Sequence, residues 1–192
     1  MRGVRVRRYR PGDGARVREL NRLAMRETPE WVPDAPDEDL QDVRRQYLDQ
    51  DGEFLVAELD GPPDGEFGDG EDTDEANGDV EDFEDGAIVA MGAYCPLDGW
   101  MAEQFDAVGG TVELTRIRVD PAFQAQGIGA QVVQALEQRA RRVGYRAAAL
   151  NTGAANEQAR AFYDSLGYCW VRTVSVTFED VSLELALYYS SL

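Results

Sequence analysis

The run TVELTRIRVDPAFQAQGIGA, Thr111 to Ala130, constrains this chain more than any other stretch. Thr111 to Pro121 has the composition of a long strand. From Ile128 onward, Ile128, Val132, Leu136, Ala140 and Val143 recur near one helical turn. Gln131, Gln134, Glu137, Gln138 and Arg141 take the other side, and Gly144 stands where a helix would stop. A strand that turns directly into a helix is the unit of an α/β fold. Between the two lie Gly127 and Gly129. Glycines let backbone approach a ligand without a Cβ, and a helix start offers free N–H groups at its positive dipole end. Together they form a phosphate cradle. The strand itself changes phase: Val112 and Leu114 are apolar at even positions, Ile117 and Val119 at odd ones. A β-bulge near Thr115 and Arg116 produces that slip, and so does a strand buried on both faces.

The neighbours decide whose phosphate it is. A P-loop needs a lysine, and the chain has none. A dinucleotide fold needs a third glycine and places its motif in the first βαβ unit, whereas Gly127 follows four strand-like runs. The two cysteines, Cys95 and Cys169, have no CxxC spacing, and there is no histidine. No transition-metal site and no histidine-based triad are expected. Both cysteines read as reduced, near-core residues of a cytoplasmic protein. The start, MRGVRVRRYRPGD, is basic but lacks the apolar core of a secretory signal. There is no apolar run of about 18 residues, so no membrane span is expected.

All 19 basic residues are arginine, and the formal net charge is −18. That balance argues against nucleic-acid partners, which need a basic footprint. It suits the hydrated acidic surface of a halophile, or an ordinary acidic protein. Thirteen acidic residues and no basic ones fall between Asp60 and Gly86. So little apolar area cannot offset the ordering entropy, and a disordered acidic insert at about 60–86 is expected within one domain spanning 1–192.

The remaining elements follow from local pattern. Val4 to Tyr9 alternates as a strand. Val17, Leu20, Leu23 and Ala24 mark a helix after Asp13, and Leu40, Val43, Tyr47 and Leu48 mark another over Asp37 to Leu48. A proline-rich connection carrying Trp31 joins them. Gly52 to Leu59 and Ala87 to Cys95 read as the arms of a hairpin flanking the insert. Ala147 to Asn151 is a short buried strand. Ala155 to Leu166 is a helix with Ala159, Phe162, Tyr163 and Leu166 on one side, and the end of the chain reads as two strands.

The run from Val112 to Tyr168 resembles the acetyl-CoA-binding core of the GNAT N-acetyltransferases. The resemblance rests on V-D-P at 119–121, on Gln124/Gly127/Gly129, and on Asn156/Ala159/Phe162/Tyr163/Gly167/Tyr168. It implies a mixed, twisted sheet of about seven strands flanked by about four helices. It implies direct acetyl transfer from acetyl-CoA, in a ternary complex, to a primary amine of a small molecule or protein. Backbone groups of Ile117, Arg118 and Val119 would pair with the pantetheine arm. Gln124, Ala125, Gln126, Gly127, Ile128, Gly129 and Ala130 would hold the pyrophosphate. Asn156 would contact the cofactor, or serve as a plain helix N-cap. Tyr163 would protonate the departing thiolate, or be a core aromatic. Glu113 would be the base, or a solvated or salt-bridged strand carboxylate with a water chain taking the proton instead. The acceptor groove would lie between the first helical pair, near Trp31, and the C-terminal strands. A noncatalytic acyl-CoA-binding module on the same fold is the alternative. The exposed C-terminal strand edge is where two chains would pair as a homodimer.

Overall fold

The computed structural model describes residues 3–29, 31, 37–60, 86–105, 109–178 and 181–192. The acidic insert therefore lies outside the described residues except at its two ends. The strands are β1 (Val4–Arg8), β2 (Glu53–Leu59), β3 (Ile88–Pro96), β4 (Thr111–Val119), β5 (Ala147–Gly153), β6 (Cys169–Phe178) and β7 (Val181–Ser191). The helices are α1 (Gly14–Arg26), α2 (Gly99–Glu103), α3 (Ile128–Arg142) and α4 (Glu157–Ser165). The strands form one mixed sheet in the order β1-β2-β3-β4-β5-β7-β6, the α/β architecture expected. Every neighbouring pair is antiparallel except β4 and β5.

Both faces of the sheet are covered, so central strands bury residues of either parity. All seven residues of β2 are buried. Leu55, Ala57 and Leu59 join the cluster under α3 and α4, with Val132, Leu136 and Tyr188. Phe54 and Val56 face Val17 and Leu20 of α1 on the other side. Two carboxylates share this buried strand and are held by arginines. Glu53 receives Arg8 at 2.7 Å and Arg139 at 2.9 Å, and Glu58 receives Arg5 at 2.9 Å and Arg7 at 2.5 Å. The Arg7 hydrogen bond holds the Glu58 carboxyl below its ordinary value despite burial.

The phase slip in β4 is a bulge. Ala93 pairs with Thr115 and Met91 with Arg118, so Gly92 alone opposes Arg116 and Ile117. Arg116 takes φ +55°. Gly92 is required by close approach: a Cβ there would lie 2.6 Å from the Ile117 side chain and 2.7 Å from Val132.

Four expectations are corrected. The segment Asp37 to Leu48 is not one helix but a 3₁₀ turn, Glu38–Leu40, and a π-type turn, Arg44–Leu48. Leu40, Val43 and Tyr47 still bury, while the Asp37 and Asp39 side chains are drawn to Arg116. Val143 is 67% exposed, because Gly144 at φ +98° turns the chain away at the end of α3. Cys169 is exposed rather than near the core. The last strand, β7, lies between β5 and β6, so the outer edge belongs to β6. Helix α2 went unread because five residues are too few to show a period.

Gly92→Ala should lower stability by about 1–3 kcal/mol, the cost of overpacking a filled core. Urea unfolding at neutral pH measures it, and an unchanged midpoint would show that the bulge has room to spare.

Candidate functional site

β4 and β5 pair only through Thr111–Glu113 with Ala147–Ala149. Beyond that, β4 continues against β3, and β5 from Leu150 to Gly153 continues against β7. The two strands therefore diverge, and the sheet opens into a V. A cleft of about 770 Å³ fills the opening. Along its β4 wall the backbone has a strand partner on one side only. Buried polar backbone demands hydrogen bonds, so this edge is chemically suited to an extended ligand that pairs like an added strand.

The turn after β4 is built by local hydrogen bonds. The Asp120 carboxylate accepts from Ala122 N at 3.1 Å and from Arg16 at 2.6 Å, fixing the 3₁₀ turn Pro121–Phe123. Gln124 donates to the Val119 carbonyl at 3.3 Å and accepts from Gln158 at 3.2 Å, tying the turn to α4. Ala125 at φ +58° and Gly127 at φ +80° then reverse the chain into α3. No side chain caps the start of α3. A Cβ on Gly127 would meet nothing within 4 Å, whereas on Gly129 it would come to 3.3 Å from Phe162. Gly127 thus faces open space, and Gly129 lets α4 pack close.

The structure brings most of the sequence-identified residues to this cleft. Ile117, Arg118, Val119, Gln124, Ala125, Gly127, Ile128, Gly129, Ala130, Asn156 and Tyr163 line it; Gln126 and Glu113 do not. Asn156 caps α4, its side chain accepting from Ala159 N at 3.0 Å. Tyr163 is both core and cleft: only 8% exposed, it stacks edge-on with Phe162 and Tyr168, and burial pushes its hydroxyl up to about 12. Trp31 sits under the Arg26 guanidinium at 5.7 Å rather than on the cleft wall. The opposite lip joins the first helix to a C-terminal strand, as the sequence suggested for the acceptor groove, but its residues were not named there. Ala24, Met25, Glu27 and Thr28 at the end of α1 face the cleft with Leu183 and Leu185 of β7. Their spacing along the chain carries no local signal.

Glu113 stands at the apex of the V, the last residue of β4 to pair with β5. It is half-buried, opposite Cys95 of β3. Burial first, then the charge of Asp98, push its carboxyl up to about 7. The same surroundings disfavour a thiolate: burial, Glu113 and Asp98 push Cys95 up to about 12. Cys95 is therefore a poor nucleophile at neutral pH. Among the described residues, no group of three or more His, Cys, Asp and Glu could hold a metal, and no helix is long and apolar enough to cross a membrane.

Comparison with known proteins agrees with this geometry. The sequence profile described as "Acetyltransferase (GNAT) family" matches residues 62–168, more than half of the chain. No curated protein sequence matches the chain. Among solved structures, an N-acetyltransferase from Staphylococcus aureus Mu50 is 18% identical, with TM-score 0.70 over 98% of both chains. The YncA protein of Salmonella typhimurium, solved with its cofactor acetyl-CoA, is 18% identical, with TM-score 0.68 over 98% of this chain and 93% of that one. The ribosomal-protein-alanine N-acetyltransferase of Brucella melitensis is 17% identical, with TM-score 0.69 over 98% of this chain and 99% of that one. At these identities the likeness is one of fold.

An ionisable group near 7 has a checkable cause. Removing the neighbouring charge with Asp98→Asn should move the Glu113 titration midpoint downward from about 7, read by carboxyl NMR shifts. A midpoint that stays in place would assign the whole shift to burial.

Proposed function

Because the chain belongs to the GNAT acetyltransferase family, whose cosubstrate is acetyl-CoA, we propose that it moves the acetyl group directly to a primary amine within a ternary complex. The observation that carries this reading is the divergence of β4 from β5 beside an uncapped helix start. One wall offers strand-like backbone at Ile117 to Val119 for an amide-bearing arm. The other end offers N–H groups of Ala125 and of Gly127 to Ala130 for a pyrophosphate. The residues present suit that ligand: Gly127 opens onto free space, and the loop is neutral between Pro121 and Gln134.

Bound acetyl-CoA supplies an electrophilic acetyl carbon on a thioester. The protein's share is proton handling. An amine attacks only when neutral, so a base must take its proton. Glu113 stands at the apex rather than on the cleft wall, so it takes the proton through water, and a carboxyl poised at about 7 is half ionised at neutral pH. As the C–S bond breaks, a proton must reach the sulfur, and the Tyr163 hydroxyl, protonated up to about 12, supplies it. The high value at Cys95 supports direct transfer over an acyl-enzyme. The acceptor enters over the lip of α1 and β7, past Met25, Glu27 and Leu185. The two unpaired cysteines support a reducing, cytoplasmic setting.

Titration calorimetry with acetyl-CoA tests the reading first, and micromolar affinity is expected. Gly127→Glu, which aims a negative charge into the phosphate end, should weaken that affinity at least tenfold; unchanged affinity would place the phosphates elsewhere. With an acceptor found by thiol release, Tyr163→Phe should lower kcat about 100-fold, within the usual range for a proton donor. Full turnover would instead mark Tyr163 as a packing residue, and binding without turnover on any amine would favour the noncatalytic alternative.

A further inference from the structure

A polar cluster behind the bulge takes no part in the proton chemistry. Arg116 is a non-glycine residue at φ +55°. A left-handed conformation is costly for an L-residue and persists where surrounding contacts over-determine it. Here the guanidinium is gripped on every side. Nε and one terminal nitrogen donate to the two oxygens of Asp39 at 2.9 and 2.5 Å, a bidentate fork. The other terminal nitrogen donates to Asp37 at 2.8 Å and to the Asn21 carbonyl oxygen at 3.4 Å. Asn21, buried in α1 with 2% exposure, donates to Asp37 at 2.7 Å and accepts from Arg118 Nε at 3.3 Å. Tyr47 adds its hydroxyl to Asp39 at 2.5 Å.

Two ends of the cleft meet in this cluster. Arg116 belongs to the bulge, and the residues directly after it, Ile117 to Val119, form the β4 wall. Asn21 lies on α1, four residues before Met25 on the opposite lip. A bulge held only by strand pairing could relax toward regular β4, which would shift the register of every later residue by one and turn its backbone groups. The fork on Asp39 prevents this by fixing Arg116 from outside the sheet.

We propose that Arg116, held by Asp39 and Asn21, is a positioning residue that sets the β4 wall of the cleft for the acetyl-CoA arm. This rests on the reading that the cleft takes acetyl-CoA, and it goes beyond it by assigning the wall's geometry to one clamp. The test is calorimetry with acetyl-CoA on the parent protein, Arg116→Ala, Arg116→Gly, Asp39→Asn and the Arg116→Ala/Asp39→Asn double variant. All are measured well below each variant's unfolding temperature, so lost stability alone does not move the affinity.

The expected result is a Kd raised about tenfold by Arg116→Ala and several-fold by Asp39→Asn, with the double variant no weaker than Arg116→Ala, because both remove the same fork. Arg116→Gly accepts the left-handed conformation freely, so it should bind as weakly as Arg116→Ala. Parent-like affinity in the glycine variant would show that backbone conformation, not the clamp, sets the wall, and would overturn the proposal. So would a folded Arg116→Ala with unchanged Kd, or strictly additive losses. If Arg116→Ala does not fold, Asp39→Asn decides: several-fold weakening supports the clamp, and unchanged affinity overturns it. A parent protein that binds no acetyl-CoA would instead sink the reading of the cleft itself.

Discussion

The cleft depends on where two parallel strands stop pairing. β4 and β5 share three residue pairs and then separate. Neither separation is free, because strand backbone left without partners is costly in a buried setting. The protein meets that demand on one side by giving β5 a second partner, β7, along its whole length. On the other side β4 keeps β3 and bends through its bulge. The opening is thus a consequence of sheet order: β7 inserted between β5 and β6 lets β5 turn away without losing its ladder.

That arrangement explains where two buried ionisable groups come to stand. Glu113 sits at the apex because it is the last residue common to both ladders, and there burial is high enough to raise its carboxyl. Tyr163 lines the cleft from α4, whose approach is permitted by the missing side chain at Gly129. The two groups are tuned in the same direction by the same force, loss of water, with different results. A carboxyl lifted to about 7 is half ionised at neutral pH, while a phenol lifted to about 12 keeps its proton.

What could be read from the sequence was whatever a short window encodes. The bulge announced itself as a phase slip between Leu114 and Ile117, and Gly127 and Gly144, both at positive φ, bracketed α3 by conformational need alone. The seven strands followed from runs of apolar residues. The lip's elements, the first helix and a C-terminal strand, followed from the family resemblance, but Met25, Glu27 and Leu185 themselves carry no local signal, since they meet only once α1 and β7 face each other across the opening. The broken helix after Asp37 failed for a related reason. Its buried positions kept helical spacing, but Asp37 and Asp39 answer to Arg116, about eighty residues away, rather than to their neighbours.

The hairpin of β2 and β3 has one more bearing on the cleft. Its open end, where the acidic insert leaves and returns, adjoins the turn that follows β4: Arg16 bonds the Ile88 carbonyl and the Asp120 carboxylate together. A segment carrying most of the chain's excess negative charge is therefore rooted beside the turn that leads from β4 to α3. Like charges repel across water over about 10 Å at 0.1 M ionic strength and only about 3 Å at 1 M. For most proteins that grip a polyanion, added salt weakens the grip. Here added salt would also screen the repulsion from that negative charge, which opposes the usual loss.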